Sequence, residues 1–322
     1  MVGQIMEWSY KELELQVTEL PAVQKQELLT LITHQLSREG CISLLNDKQS
    51  THRQCPHCHA TKVKKYGVIA SRQRFRCNVC QRTFMSTVDT PLYRLRKIEQ
   101  CVPYLRCLLD SLTVRASAAR CGMNKSTAFQ WRHRFLRRLT VQKETRLAGI
   151  VEMDETLFRY SEKGSRELSR PAHKRGRDKA GRGRKKGDWV PVLIARDREN
   201  HVFDNRLESE KASNFISLLK DKLSSDSVVC SDSFWSYKVM CQELRLAHKA
   251  INLSKGIRVI DKVFHIQNIN GYHARLHNWI ARFHGVATKY LDNYLAWRRF
   301  FETHTNPNEN SILLAQTQLT HT

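Results

Sequence analysis

The chain has 322 residues, 41% hydrophobic and 26% charged, which is enough apolar surface for a core and excludes wholesale disorder. At about 150 residues per domain, this length predicts two domains, or three with a small one. The net charge is +23, from 54 basic and 31 acidic side chains, an excess that repels itself in a compact fold unless a polyanion is the partner, so nucleic acid is the expected class. The excess is uneven: residues 51–150 hold 21 basic and 4 acidic side chains, or +17. A generically basic solvated surface would not concentrate charge in this way. No apolar run of about 18 residues occurs, and the opening MVGQIMEWSYKELELQ has no basic or apolar leader region, so no membrane partner and a cytoplasmic location are expected.

Residues 1–50 form an N-terminal helical segment in this reading. Residues 18–38 predict a short amphipathic helix with Leu28, Leu31, Ile32 and Leu36 on one face, started at Thr18 or Glu19, with Pro21 in its first turn and Gly40 past its end. It is a packing or partner helix, and no chemistry is assigned to it.

Residues 51–90 contain two cysteine pairs, Cys55-Pro-His-Cys58 and Cys77-Asn-Val-Cys80. A two-residue spacer lets both thiolates of a pair reach one ion, and two such knuckles close a tetrahedral Zn²⁺ site. The segment between them predicts a hairpin that returns the second knuckle to the first. This is the pattern of a zinc ribbon, in which the metal replaces a core too small to build. The remaining cysteines, Cys41, Cys101, Cys107, Cys121, Cys230 and Cys241, show no pairing pattern and predict small buried hydrophobes.

Residues 91–147 predict a helical DNA-binding domain. Within TVRASAARCGMNKSTAFQWRHRFLRR, Gly122 marks a tight turn between two helices and Asn124 is a good N-cap for the second. Ala128, Trp131 and Phe135 face a core at helical spacing. Lys125 begins the second helix, and Ser126, Gln130, His133, Arg134 and Arg137 lie on its opposite face, the mix expected of a helix-turn-helix reading a major groove.

Residues 148–302 change to apolar strands. GIVEMDETLF, DWVPVLIARDR and HVFDNRLES are followed by a helix over KASNFISLLKDKL, a strand SVVCSD and a long helical stretch at 268–302. The order β-β-β-α-β predicts a mixed α/β domain. Between the first two strands, residues 170–187 form a Gly- and Lys/Arg-rich loop whose Lys174, Arg175, Arg184, Lys185 and Lys186 are candidate phosphate contacts. Residues 303–322 predict a polar, frayed tail. Asp154 stands within an apolar strand and Asp232 at the end of another. Charge in such places is costly unless it serves something. Two strand-borne aspartates in a basic chain suggest a shared Mg²⁺ site for phosphodiester chemistry.

These stretches resemble the insertion-sequence transposases of family 1595, which join a zinc-ribbon front end to a ribonuclease H-like core. The matching segments are CPHC…CNVC, KSTAFQWRHRFL, VEMDET, VCSDSFWSY and HIQNINGYHARLHNWIARFHGVATKYLDNYLAWRRF, spanning roughly residues 55–300. The resemblance implies a multidomain α/β protein: a zinc ribbon and helix-turn-helix followed by a ribonuclease H-like, mixed-sheet catalytic domain. It puts the family's two aspartates on Asp154 and Asp232, its Asn-or-Glu on Asn270, and its Lys on His277, where this chain departs from the pattern. An Asn ligand offers a neutral oxygen, so metal binding should lean on DNA phosphate for further anionic oxygens. The resemblance further implies Mg²⁺ or Mn²⁺ at the catalytic site, binding to terminal inverted repeats and target DNA, strand cleavage and transfer, and a homodimer or higher oligomer on the bacterial nucleoid. Two other activities fit the same residues: a sequence-specific regulator retaining an inactive core, and a two-metal nuclease without strand transfer.

Overall fold

A computed structural model describes residues 10–29, 54–69, 72–140, 146–171 and 187–317, with positions 31, 32, 35, 39, 43 and 46 between the first two segments. The loop residues Lys174, Arg175, Arg184, Lys185 and Lys186, and also Cys41, lie outside the described residues. The chain divides into two compact units, one of residues 1–110 with 308–314 and the other of residues 111–307 with 315–322.

The first unit opens with helix α1 (Tyr10–Glu19), which the periodicity reading missed. The chain breaks at Leu20–Pro21 and turns helical again at 22–29, so Pro21 precedes the second helix instead of sitting inside its first turn. A three-stranded antiparallel sheet follows, of β1 (Val63–Ile69), β2 (Arg72–Cys77) and β3 (Thr83–Met85). Its register pairs Val63 with Cys77, so the hairpin returns the second cysteine pair to the first as expected. Its core is small: Cys55, Val63, Phe75, Cys77 and Phe84, with the two Phe rings stacked at 5.6 Å. Helix α2 (Cys101–Leu109) buries Cys101, Tyr104, Leu105, Cys107 and Leu108.

The second unit begins with helices α3 (Val114–Arg120) and α4 (Lys125–Leu139). The turn between them uses Gly122 at φ +56°, a conformation that favours glycine, and the Asn124 side chain accepts from the Ser126 amide at 2.8 Å. Ala128, Trp131 and Phe135 are buried, as their spacing predicted.

A five-stranded sheet then runs in the order β6-β5-β4-β7-β8, built from β4 (Ile150–Arg159), β5 (Trp189–Asp197), β6 (Val202–Arg206), β7 (Val228–Asp232) and β8 (Ala247–Ile251). β4, β5 and β6 are antiparallel neighbours, while β4, β7 and β8 are parallel. Helices α5 (Ala212–Leu219) and α6 (Trp235–Glu243) supply the crossovers. This is the ribonuclease H-like mixed sheet expected of the segment, with α6 and β8 as elements the sequence reading did not resolve.

Alternation along β4 decides what each face does. Val151 and Met153 enter the core with Phe215, Leu219, Tyr237 and Met240. Glu152, Asp154, Thr156 and Phe158 face α7 (Gln267–Ala281), whose residues they meet in chain order. The expected continuous helix over 268–302 is two helices. Gly285 (φ +92°) and the 3₁₀ turn Thr288–Tyr290 separate α7 from α8 (Leu291–Thr303). The tail expected to fray instead holds α9 (Glu309–Thr317), because Ile312, Leu313 and Ala315 find burial.

Candidate functional site

The four cysteines form one cluster, with all ligand sulfurs within 4.8 Å of one another. Cys55–Cys80 and Cys58–Cys77 sulfur pairs are each 3.6 Å apart. Zn–S bonds of about 2.3 Å at tetrahedral angles require sulfur separations of about 3.8 Å, so the cluster fits a zinc ion. The amides of His57 and Val79 each point at a sulfur, Cys55 and Cys77 respectively, at 3.4 Å. Such donors stabilise thiolate over thiol. Accordingly the Cys77 thiol is drawn down to about 7, chiefly by the Cys80 backbone amide, against burial, with Val79 assisting. The other described cysteines, Cys101, Cys107, Cys121, Cys230 and Cys241, are buried, as expected of small hydrophobes.

In the second unit, β4 and β7 are parallel neighbours paired Ile150–Val228, Val151–Val229 and Glu152–Cys230. That pairing ends two residues short of Asp154 and Asp232, which leave it on neighbouring strands, near enough for the Asp232 charge to act on Asp154. Burial raises the Asp154 carboxyl to about 6; the Glu155 amide opposes this and the neighbouring Asp232 adds to it. The Asp232 carboxylate accepts from the Phe234 amide at 2.9 Å, just ahead of α6. Beside the pair sits Glu155, raised to about 8 first by burial, with the Tyr237 hydroxyl opposing and Asp154, Asp232 and Glu210 adding repulsion. Its Oε1 is buried without a partner. Among the described residues only the four cysteines gather three or more metal-ligating atoms within 4.8 Å, so the carboxylates here share repulsion without forming a closed ligand cluster. Glu155 was missed from sequence because strand alternation alone sends it to the face opposite Asp154.

Helix α7 covers the other side of Asp154. His273 Nδ1 lies 3.6 Å from Asp154 Oδ2, while its Nε2 is buried without a partner. Burial, with His277 adding, lowers His273 to about 4, so it faces Asp154 as a neutral imidazole. His277 sits further along β4, with Nε2 2.6 Å from Thr156 Oγ1 and its ring stacked on Phe158 at 4.8 Å. Asn270 is exposed, one turn ahead of His273, and its side chain makes no hydrogen bond among the described residues. The helix is pinned by Glu152, only 1% exposed, which accepts from the Ile269 amide (3.0 Å) and Asn268 Nδ2 (2.9 Å) and pairs with Arg198 at 3.1 Å. The structure thus sets His273 against Asp154, with the charges of Asp232 and Glu155 close enough to be felt; Asn270 and His277 lie on the same helix at either end of His273.

On α4, Lys125, Ser126, Gln130, Arg134 and Arg137 are exposed, as expected of that face. His133 is not. It stacks on Tyr290 at 3.8 Å and its Nδ1 meets Asn293 Nδ2 at 2.9 Å, because α4 packs against α8. Desolvation there, with Arg132, Arg137 and Lys289 adding, lowers His133 to about 4.

Residues 146–300 match the family model described as the ISXO2-like transposase domain, within the stretch on which the sequence resemblance rested. No curated protein matches the chain in sequence. Among solved structures, the chain is similar to a pre-cleavage Mos1 transpososome (12% identity, 66% of this chain and 73% of that chain covered, TM-score 0.26). It is also similar to a Mos1 mariner paired end complex with Mn (13%, 62% and 74%, TM-score 0.24) and a Mos1 strand transfer complex (13%, 62% and 73%, TM-score 0.22). No helix among the described residues is long and apolar enough to cross a membrane.

Proposed function

We propose, from the match of residues 146–300 to the ISXO2-like transposase domain model, that the chain binds the ends of a mobile DNA element, cleaves them, and joins a 3′-OH to target DNA. The observation that carries this reading is that Asp154 and Asp232 stand on adjacent parallel strands inside the matched domain, with the Asp232 charge acting on Asp154. Asp154 and Asp232 would hold Mg²⁺ or Mn²⁺, with Asn270 as the neutral third donor. When bound, the metal supplies an activated nucleophile and stabilises the leaving oxygen.

This chain's own residues do the rest. Asp232 is oriented by the Phe234 amide, and His273 shields Asp154 from water on the α7 side. Glu152 pins the start of α7, so Asn270, His273 and His277 keep their order along β4. His277 takes the place of the family's Lys and meets substrate phosphate beside the cut. The four-cysteine cluster holds Zn²⁺, and it acts with α3 and α4 to grip the terminal repeats. The basic residues Lys174, Arg175, Arg184, Lys185 and Lys186 hold phosphate near the active site. Two ends cut together call for a homodimer or higher assembly on DNA, in the cytoplasm.

Purified protein with labelled terminal-repeat DNA and Mg²⁺ tests the reading. Joined products are expected. Cut products without joining would make the chain a nuclease, and a shifted but intact duplex would make it a DNA-binding regulator.

A further inference from the structure

A cleft of about 850 Å³ lies within the second unit, between the first turns of α4 and the 283–290 segment that links α7 to α8. Its volume is that of a small-molecule site, where about 300–1,000 Å³ is usual. Five cationic side chains contribute to its lining, Arg115, Lys125, Arg132, Lys163 and Lys289, and no Asp or Glu does.

None of the five pairs with a carboxylate among the described residues. Arg132 is the strongest case. It is 0% exposed, its Nη2 donates to neutral acceptors, the Leu112 carbonyl and Ser117 hydroxyl, and its Nε and Nη1 have no partner. It lies over the rings of Trp297 at 5.1 Å and Phe283 at 5.7 Å. Lys163 donates to the carbonyls of His284 (2.7 Å) and Gly285 (3.0 Å), and Lys289 lies over Tyr290 at 5.1 Å. Hydrogen bonds and rings spread this charge without neutralising it. A buried guanidinium without an anion is costly, and a wall of uncompensated cations concentrates anions from solution.

The aromatic residues narrow the choice of anion. Phe129 is 38% exposed and its ring meets those of Tyr290 (5.4 Å) and His133 (4.6 Å) edge to face, so part of an aromatic side chain stays open beside the cations. Cations that track phosphate, interleaved with open aromatic faces, are the pattern for unpaired nucleotides. Here Lys125, Ser126 and Gln130 look across the cleft at the 283–290 segment.

We propose that this cleft binds an unpaired nucleotide of the DNA strand, its phosphate among Arg115, Lys125 and Lys289 and its base against Phe129. The inference rests on the reading of DNA as substrate and extends it: α4 receives a strand displaced from its duplex.

The test uses the full chain and an oligonucleotide carrying a photoreactive iodouracil, offered single-stranded, as a duplex, and in competition with a free nucleoside monophosphate. Mapping of the cross-link should place it on Phe129 or Tyr290 with the single strand and not with the duplex. Lys125→Glu and Lys289→Glu should weaken single-strand binding about tenfold, and more than they weaken duplex binding. Phe129→Trp, which keeps a ring, should retain the cross-link that Phe129→Ala loses; melting curves separate loss of the ring from loss of the fold, and if Phe129→Ala is unfolded the Glu variants decide. A cross-link mapped elsewhere, equal labelling by duplex, or displacement by the free monophosphate at equal concentration overturns the proposal, the last in favour of a small nucleotide ligand. Cleavage of terminal-repeat DNA is scored separately: cleavage without the cross-link defeats only the cleft, and the cross-link without cleavage defeats only the transposase reading.

Discussion

His277 Nε2 lies 2.6 Å from the Thr156 hydroxyl, two residues beyond Asp154 on the same face of β4. The side chain that the resemblance sets against the family's Lys is therefore tied to β4 and stacked on Phe158. His277→Ala removes both contacts and should lower strand transfer about tenfold, equivalent to about 1.4 kcal/mol of barrier. Burial lowers the His277 pKa, so the ring is neutral at pH 7 and above. The ratio of His277→Lys to wild-type transfer should then be flat from pH 7 upward and fall only in acid, as wild type gains its own proton. Transfer rates for the three proteins across pH check this, and an Ala variant with wild-type transfer would remove His277 from the reaction.

Asp154→Ala and Asp232→Ala should each abolish cleavage while leaving end binding within about threefold, since affinity comes from phosphate contacts elsewhere. Each also removes one of two repelling carboxylates, so metal-free protein should melt no lower than wild type. Melting curves with and without Mn²⁺ provide a reading independent of activity: the metal should raise the wild-type Tm and leave both variants unmoved.

Cys77→Ser removes a sulfur whose thiolate is favoured by two backbone amides. Zinc content should fall from one equivalent to well below it, and the β1–β3 sheet should lose protection from proteolysis while the five-stranded sheet keeps its own. Elemental analysis and limited proteolysis check the two halves, and a fully zinc-loaded variant would contradict the assignment.

Glu152→Ala should destabilise the second unit by about 3 kcal/mol, because it orphans the Ile269 amide and leaves Arg198 without its buried partner. Denaturant melts measure this. Glu152→Gln keeps an acceptor for the amide and should recover part of the loss.

His133 is lowered to about 4 in the folded protein by burial against α8, against 6.5 when free. The unfolded chain therefore binds the proton first. Stability from this group is full above about pH 6.5, is lost as pH falls toward 4, and changes no further below that. In His133→Gln, the Tm should decline less between pH 7 and pH 4.5 than in wild type.

The four-cysteine site was legible in the sequence because a two-residue spacer places both sulfurs of a pair by local geometry, and only the closing hairpin had to be found. The turn between α3 and α4 was equally local: Gly122 supplies a positive φ and Asn124 caps. Asp154 and Asp232 could be recognised as misplaced charge on apolar strands. That they come from neighbouring strands was decided by the parallel pairing of β4 with β7, two segments far apart in the chain. Periodicity ran α7 and α8 together because both are amphipathic, and the break depends on two backbone angles near Gly285. The same limit governed His133. Its helix face was predicted to be wet, and only packing against Tyr290 and Asn293 turned it inward. Glu155, His273 and the unpaired cations of the cleft belong to this second class. Their properties come from desolvation and from neighbours distant in the chain, and spacing along the sequence encodes neither.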